Sequence, residues 1–191
     1  MYNIVKSSLR KQKPKVKADV QLPPGPIYTL AALGTGIFFL ESVLYIILVL
    51  SGFHSVIGDS CFQLEFLFAS EVQVIGIFAT AFGYGLFLWS VLARGVYATS
   101  WDMPENQKLV TWGPYRYVRH PSYLAYFILF VGLFFVLLNL VALIPFIAVP
   151  GYLHVVSLEE ELLIERFGKE FLEYQQKTGR FFPRMRRDNR L

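Results

Sequence analysis

The sequence holds a single cysteine, Cys61, and only three histidines. A lone cysteine excludes an internal disulfide and any multi-cysteine metal site. Charge is also scarce: 17% of the 191 residues are Asp, Glu, Lys or Arg, against about 25% in an average soluble domain. Apolar residues make up 54% and aromatics 17%, so the chain reads as one domain built for lipid. No repeat of roughly 20–50 residues is present, and there is no glycine-rich phosphate loop and no H-E-x-x-H motif. The N-terminal stretch "MYNIVKSSLRKQKPKVKADVQLPPGP" is basic. It lacks an apolar core before a small-residue cleavage site, so it does not read as a signal peptide.

Long apolar runs are what the chain has in quantity. A transmembrane helix needs roughly 20 mostly apolar residues. Residues 28–50, interrupted only by Glu41, and 72–92, bounded by Glu71 and Arg94, each supply one. Residues 121–138 and 140–157 are shorter runs that meet at Asn139. Together they exceed one membrane thickness and read as a tight helical hairpin. The expectation is an all-α integral membrane protein, a single domain over 1–191. It has four transmembrane helices, a C-terminal helical hairpin and an amphipathic helix at the cytosolic interface. Pro145 and Pro150 should bend the fourth span. The small-xxx-small pairs Ala32/Gly36 and Ala79/Gly83 mark expected close approaches between helices.

Charge sets the orientation. Residues 1–24 hold six Lys/Arg against one Asp, and the 51–71 loop holds none against Asp59, Glu65 and Glu71. The 93–120 loop holds four (Arg94, Lys108, Arg116, Arg119), and the tail from Tyr174 holds six. Basic residues therefore alternate between sides, which places both termini in the cytoplasm. The basic segment 1–26 and the tail 159–191 would both be cytosolic. In a membrane protein such tails read as topology and anionic-lipid contacts rather than nucleic-acid binding. Glu41 is the only Asp or Glu inside a span, which argues against a proton-coupled transporter. That residue should face the bundle interior.

The hairpin also has a chemical consequence. Pro121 suits the first position of a helix, and arms of about 17 and 18 residues match in length to within one turn. "RHP" at 119–121 and "SLEEELLIERFGKEFLEY" from Ser157 then return to the same interface. Arg119 and His120 should lie close to Glu159, Glu160 and Glu161. Simpler readings exist for each part. Arg116 and Arg119 can act as helix-end anchors that snorkel to headgroups, and the glutamates can open a solvated helix. His54 and His154 read as packed or interfacial. Leu163, Phe167, Phe171 and Tyr174 form one apolar stripe at helical spacing, as expected of a segment lying along the membrane surface.

Taken together, "LVTWGPYRYVRHPSY" and "EEELLIERFGKEFLEYQQKTGRFFP" resemble the isoprenylcysteine carboxyl methyltransferase family, a relative of the phospholipid N-methyltransferases. Leu109, Val110, Gly113, Tyr115, Arg119, His120, Pro121 and Tyr123 match its first block. Glu159, Glu160, Leu163, Phe167, Gly168, Tyr174 and Pro183 match the second, and the likeness covers about the last 85 residues. Ala125 stands where the family usually has glycine, and Phe171 where it has tyrosine. Val155, Val156 and Ser157 stand where its members often carry basic residues.

The resemblance implies an integral-membrane enzyme that uses S-adenosylmethionine at the cytosolic interface, with no metal. Leu109, Val110, Gly113, Tyr115, Arg119, His120, Pro121 and Tyr123 would line the cofactor pocket. Glu159 or Glu160 would meet the cofactor's ammonium. A carboxylate acceptor needs a cation to position it, for which Arg119 and Arg180 are candidates. An amine acceptor needs a base, for which His120 or a pocket glutamate is a candidate. Both sets are present. The second block leans toward carboxyl O-methylation of an isoprenylcysteine-like, lipid-linked acceptor. A phosphatidylethanolamine-type N-methyltransferase is the alternative. An NADPH-dependent membrane sterol reductase is a third reading, because such enzymes share an "RHPNY"-type motif in which Ser122 takes the asparagine position.

Overall fold

The computed structural model describes residues 25–53, 55–97 and 107–184. The basic segment at 1–24, His54, residues 98–106 and the tail beyond Arg184, including Arg187, lie outside the described residues. Six α-helices are described: α1 Gly25–Leu50, α2 Ser55–Gly58, α3 Ala69–Arg94, α4 Pro121–Leu137, α5 Ala148–Phe167 and α6 Lys169–Lys177. Short 3-10 segments lie at Gly95–Tyr97, Gly113–Arg116 and Leu140–Ile147. Two isolated β-bridges are the only extended pairing among the described residues.

Gly25–Leu50, Ala69–Arg94 and Leu140–Phe167 are long and apolar enough to cross a membrane by length and composition. α4 is equally apolar but has 17 residues. The run at 140–157, expected as one α-helical span, is 3-10 through Ile147 and α-helical from Ala148. Pro145 lies inside the 3-10 stretch, where it cannot donate an α-helical hydrogen bond. Pro150 falls in the first turn of α5, where a missing N–H costs nothing, so it opens the helix instead of bending it.

The described residues divide into two compact units, 25–85 with 123–155 and 86–122 with 156–184. The first unit holds the apolar core. Phe130 of α4 is fully buried, and its ring lies 5.4 Å from that of Phe38 and 5.8 Å from that of Phe146. Tyr152 stacks on Tyr126, and its hydroxyl hydrogen-bonds Thr35 of α1. Ala31, Gly34 and Phe38 are the buried residues of α1 and mark its inward face. A Cβ added at Gly34 would stand 2.7 Å from both the Ala148 Cβ and the Pro145 carbonyl oxygen. The expected pair Ala32/Gly36 is exposed, and nothing lies within 4 Å of a Cβ at Gly36. Two residues along a helix turn the side chain by about 200°, so the face chosen by Phe38 leaves Gly36 outside. At the second expected pair, Gly83 does approach α4, 2.9 Å from the Leu129 side chain.

The end of α4 is closed by the segment before α3 and by the first turns of α3 itself. Gln63 and Gln73 donate to the Leu137 and Val136 carbonyls, each at 3.1 Å, satisfying acceptors that a helix end leaves open. Phe62–Leu64 runs antiparallel to Leu138–Leu140 through bonds of 2.7 and 3.0 Å. Asn139 caps the next turn by accepting from the Val141 N–H at 3.0 Å. Glu41 is half-buried, and its Oε2 is enclosed without a hydrogen-bond partner among the described residues.

Gly34→Val should lower the unfolding free energy of the detergent-purified protein by about 1–3 kcal/mol, because the backbone atoms it meets cannot move aside. Gly36→Val should stay within about 0.5 kcal/mol of wild type. Thermal unfolding of both variants checks this.

Candidate active site

The second unit is built around the turn that precedes α4. Gly113 has φ 61°, a conformation that costs glycine nothing. A Cβ there would also stand 2.9 Å from the Ala93 Cβ of α3. Trp112 Nε1 donates to the Ala93 carbonyl at 3.0 Å, which seats the turn on the end of α3. Tyr115 is buried within it. The chain then runs extended through Arg119 and His120 into Pro121.

A strap from the C-terminal tail lies beside that extended stretch. The Arg119 and His120 N–H groups donate to the Gly179 and Arg180 carbonyls at 2.9 and 3.1 Å, next to a parallel bridge between Val118 and Gly179. The Tyr174 hydroxyl donates to the Tyr115 carbonyl at 2.5 Å. Arg184 donates to the Gln175 and Gln176 carbonyls at the end of α6, where a cation complements the helix dipole. Arg119, Gln175, Thr178, Arg180, Phe182 and Arg184 line an open groove along the strap.

Glu160 joins these pieces. Its Oε1 accepts from Arg119 Nε at 2.8 Å and His120 Nε2 at 3.1 Å. Its Oε2 accepts from Arg180 Nη2 at 2.6 Å and Gln175 Nε2 at 3.4 Å. Arg119 Nη1 reaches on to the Thr178 carbonyl. Burial alone would push the Glu160 carboxyl up, but hydrogen bonds from His120, Arg180 and Arg119 hold it well below the usual carboxylate range. Glu159 is more open, its side chain 19% exposed against 6% for Glu160. Its Oε2 lies 3.6 Å from His120 Nδ1, so the imidazole stands between two carboxylates.

The structure therefore brings together Tyr115, Arg119, His120, Glu159, Glu160 and Arg180. Gly113 and Pro121 take part through backbone, as the turn and the start of α4. Leu109 and Val110 are half-buried in irregular backbone ahead of the turn. Tyr123 packs against Tyr152, ring centroids 5.2 Å apart, within the aromatic core. Glu161, expected beside Arg119, is exposed. The stripe of Leu163, Phe167, Phe171 and Tyr174 is divided at Gly168, whose φ of 53° separates α5 from α6. Gln175, Thr178 and Gly179 were not anticipated. Their one sequence signal is the Thr-Gly pair closing the helical stretch before Arg180.

The family profile described as phospholipid methyltransferase matches residues 72–170, just over half of the chain. The chain belongs to that family. A protein-S-isoprenylcysteine O-methyltransferase of Saccharomyces cerevisiae is 40% identical over 81 residues, covering 41% of this chain and 34% of the relative. One from Xenopus laevis is 29% identical over 162 residues, 82% of this chain and 50% of the relative. The chain thus spans between a third and half the length of these relatives. The structure of a eukaryotic intramembrane Ras methyltransferase, an isoprenylcysteine carboxyl methyltransferase, shares the fold. Its TM-score is 0.53 at 24% identity, over 85% of this chain and 54% of that one. With its long apolar helices, the chain is an integral membrane protein.

Glu160→Gln strips a buried, hydrogen-bonded charge from Arg119 and His120 and should cost on the order of 3 kcal/mol of stability. Glu159→Gln should cost less than about 1 kcal/mol. The folded Glu160 value lies below the usual 4.5, so its contribution is complete above that pH and is lost as the pH falls below it. Unfolding followed from pH 7 downward should show this acid loss in wild type. The Glu160→Gln protein should lack that component.

Proposed function

We propose that this protein is an S-adenosylmethionine-dependent methyltransferase of the membrane interface. It O-methylates the carboxylate of an isoprenylcysteine-like, lipid-linked acceptor. The observation that carries the proposal is the Arg119–His120–Glu160–Arg180 network, which unites the two blocks shared with isoprenylcysteine methyltransferases. The residues suit the cofactor's chemistry. Its amino-acid end is zwitterionic and its sulfonium cationic, so it calls for a carboxylate, a cation and aromatic faces. When bound, it supplies an electrophilic methyl group.

The chain's own residues divide the remaining work. Glu160 is fully engaged and holds Arg119, His120 and the strap in place. Glu159, the more open carboxylate, takes the ammonium. Tyr115 and Phe181, whose ring lies 6.2 Å from that of His120, supply aromatic surface. Backbone at Leu109, Val110, Gly113 and Pro121 shapes the rim. Arg180, 40% exposed along the groove, positions the acceptor carboxylate. A carboxylate is already nucleophilic at neutral pH, so alignment and exclusion of water suffice without a base or covalent intermediate.

The architecture proposed with this function is a single domain with four spans at 28–50, 72–92, 121–138 and 140–157 and both termini cytosolic. The last two spans form the hairpin, and the tail lies at the interface with its amphipathic stretch. α4, about 26 Å long at 1.5 Å per residue, crosses by local thinning of the bilayer. The acceptor enters laterally from lipid. Tags at the two ends should react from the same side of sealed vesicles, and opposite-side reaction would overturn this topology.

The function is tested with methyl-labelled S-adenosylmethionine, offered with S-farnesylcysteine or phosphatidylethanolamine to the protein in lipid nanodiscs. The expected result is a base-labile methyl ester on the farnesylcysteine, unaffected by NADPH. Label in stable N-methyl groups on the phospholipid would instead give His120 the role of base. Binding of NADPH in place of S-adenosylmethionine would support the reductase reading. Glu173→Gln, an exposed carboxylate on α6, should leave the rate within about twofold of wild type.

A further inference from the structure

Arg94 ends α3 beside the turn that carries Tyr115. Its neighbour Ala93 receives the Trp112 hydrogen bond and lies against Gly113. One turn earlier Ser90 is fully buried and shares a 2.8 Å hydrogen bond with Ser122. The Tyr115 side chain on the turn before α4 is buried and carries a phenol hydroxyl. Two opposite charges act on that hydroxyl. Burial raises its pKa, Arg94 lowers it and Glu159 raises it again.

The other arginines at the site are already engaged. Arg119 serves Glu160 and the Thr178 carbonyl, Arg180 serves Glu160 and Ser157, and Arg184 serves the end of α6. Arg94 differs from them. Its Nε is enclosed yet donates to nothing, and it makes no ion pair among the described residues. An enclosed guanidinium donor left without an acceptor is costly. A planar carboxylate is the group its fork best accepts.

We propose that Arg94 binds the carboxylate at the amino-acid end of the methyl donor, while Glu159 takes its ammonium. The inference rests on the cofactor reading above and adds to it a cation that, unlike Arg119 and Arg180, makes no bond to Glu160. An anionic lipid headgroup offers similar oxygens, so the test separates the two sources.

Binding is measured by calorimetry in nanodiscs of neutral and of anionic lipid. The two probes are S-adenosylhomocysteine and methylthioadenosine, which keeps the thioether nucleoside but lacks the amino-acid end. Arg94→Gln should weaken S-adenosylhomocysteine by about ten- to a hundredfold and leave methylthioadenosine unchanged, in either lipid. Arg94→Lys, which keeps the charge without the fork, should recover part of the loss. If Arg94→Gln does not fold, Arg94→Lys carries the test through its selective loss against wild type. Equal loss for both probes would overturn the proposal. It would make Arg94 structural. No loss, or loss only in anionic lipid, would overturn it too. Failure of the wild type to bind S-adenosylhomocysteine at all would instead remove the cofactor reading beneath it.

Discussion

A carboxylate taken out of water is tolerated only when other groups replace its hydration. Enclosing it without such partners costs several kcal/mol. Glu160 meets that condition with two arginines, a histidine and an amide, drawn from three stretches of chain. The segment before α4, the polar end of α5 and the strap after α6 therefore meet at one carboxylate, each of whose oxygens accepts two hydrogen bonds. The backbone bonds from Arg119 and His120 to Gly179 and Arg180 close the same arrangement from the main-chain side. Lose the carboxylate and two cations remain near each other without a counter-charge. The rest of the site inherits its geometry from this point.

That saturation divides the charged residues by role. Arg119 and His120, the least exposed groups on Glu160, are committed to holding it. In the proposed reading, ligand recognition passes to Glu159 beside His120, Arg94 at the end of α3, and Arg180, 40% exposed on the groove. Methyl transfer from a sulfonium suits this division, because the chemical step asks for orientation and dryness more than for acid–base work. A rigid inner network with a few charges around it supplies orientation at little entropic cost.

Much of this is visible in the sequence, for physical reasons that can be named. Apolar run lengths locate α1 and α3 because a span must satisfy its own backbone inside lipid. Arg119 and His120 do meet Glu160, as the spacing of the two blocks suggests, although the run between them is partly 3-10 and not two equal α-helical arms. The structure departs from the sequence reading wherever side-chain direction or backbone sign decides. Helical spacing alone does not say which face of α1 turns inward, so Gly34 and not Gly36 meets Ala148. Pro145 converts the expected span into 3-10 turns up to α5. The pairing of Phe62–Leu64 with Leu138–Leu140, and the strap at Gly179, are long-range backbone bonds with almost no local signature. Arg94 reads in the sequence only as a topology charge, because its lack of a partner is a three-dimensional fact.

The central claim is that Arg119 and Glu160 act as one unit rather than as two helix-end charges. A double-mutant cycle measures that directly, using Arg119→Gln, Glu160→Gln and the double variant, with unfolding free energy in mixed micelles as the readout. The account predicts a coupling energy of more than about 1 kcal/mol, as expected of a buried charge-assisted hydrogen bond. Two single effects that add to within about 0.5 kcal/mol would contradict it.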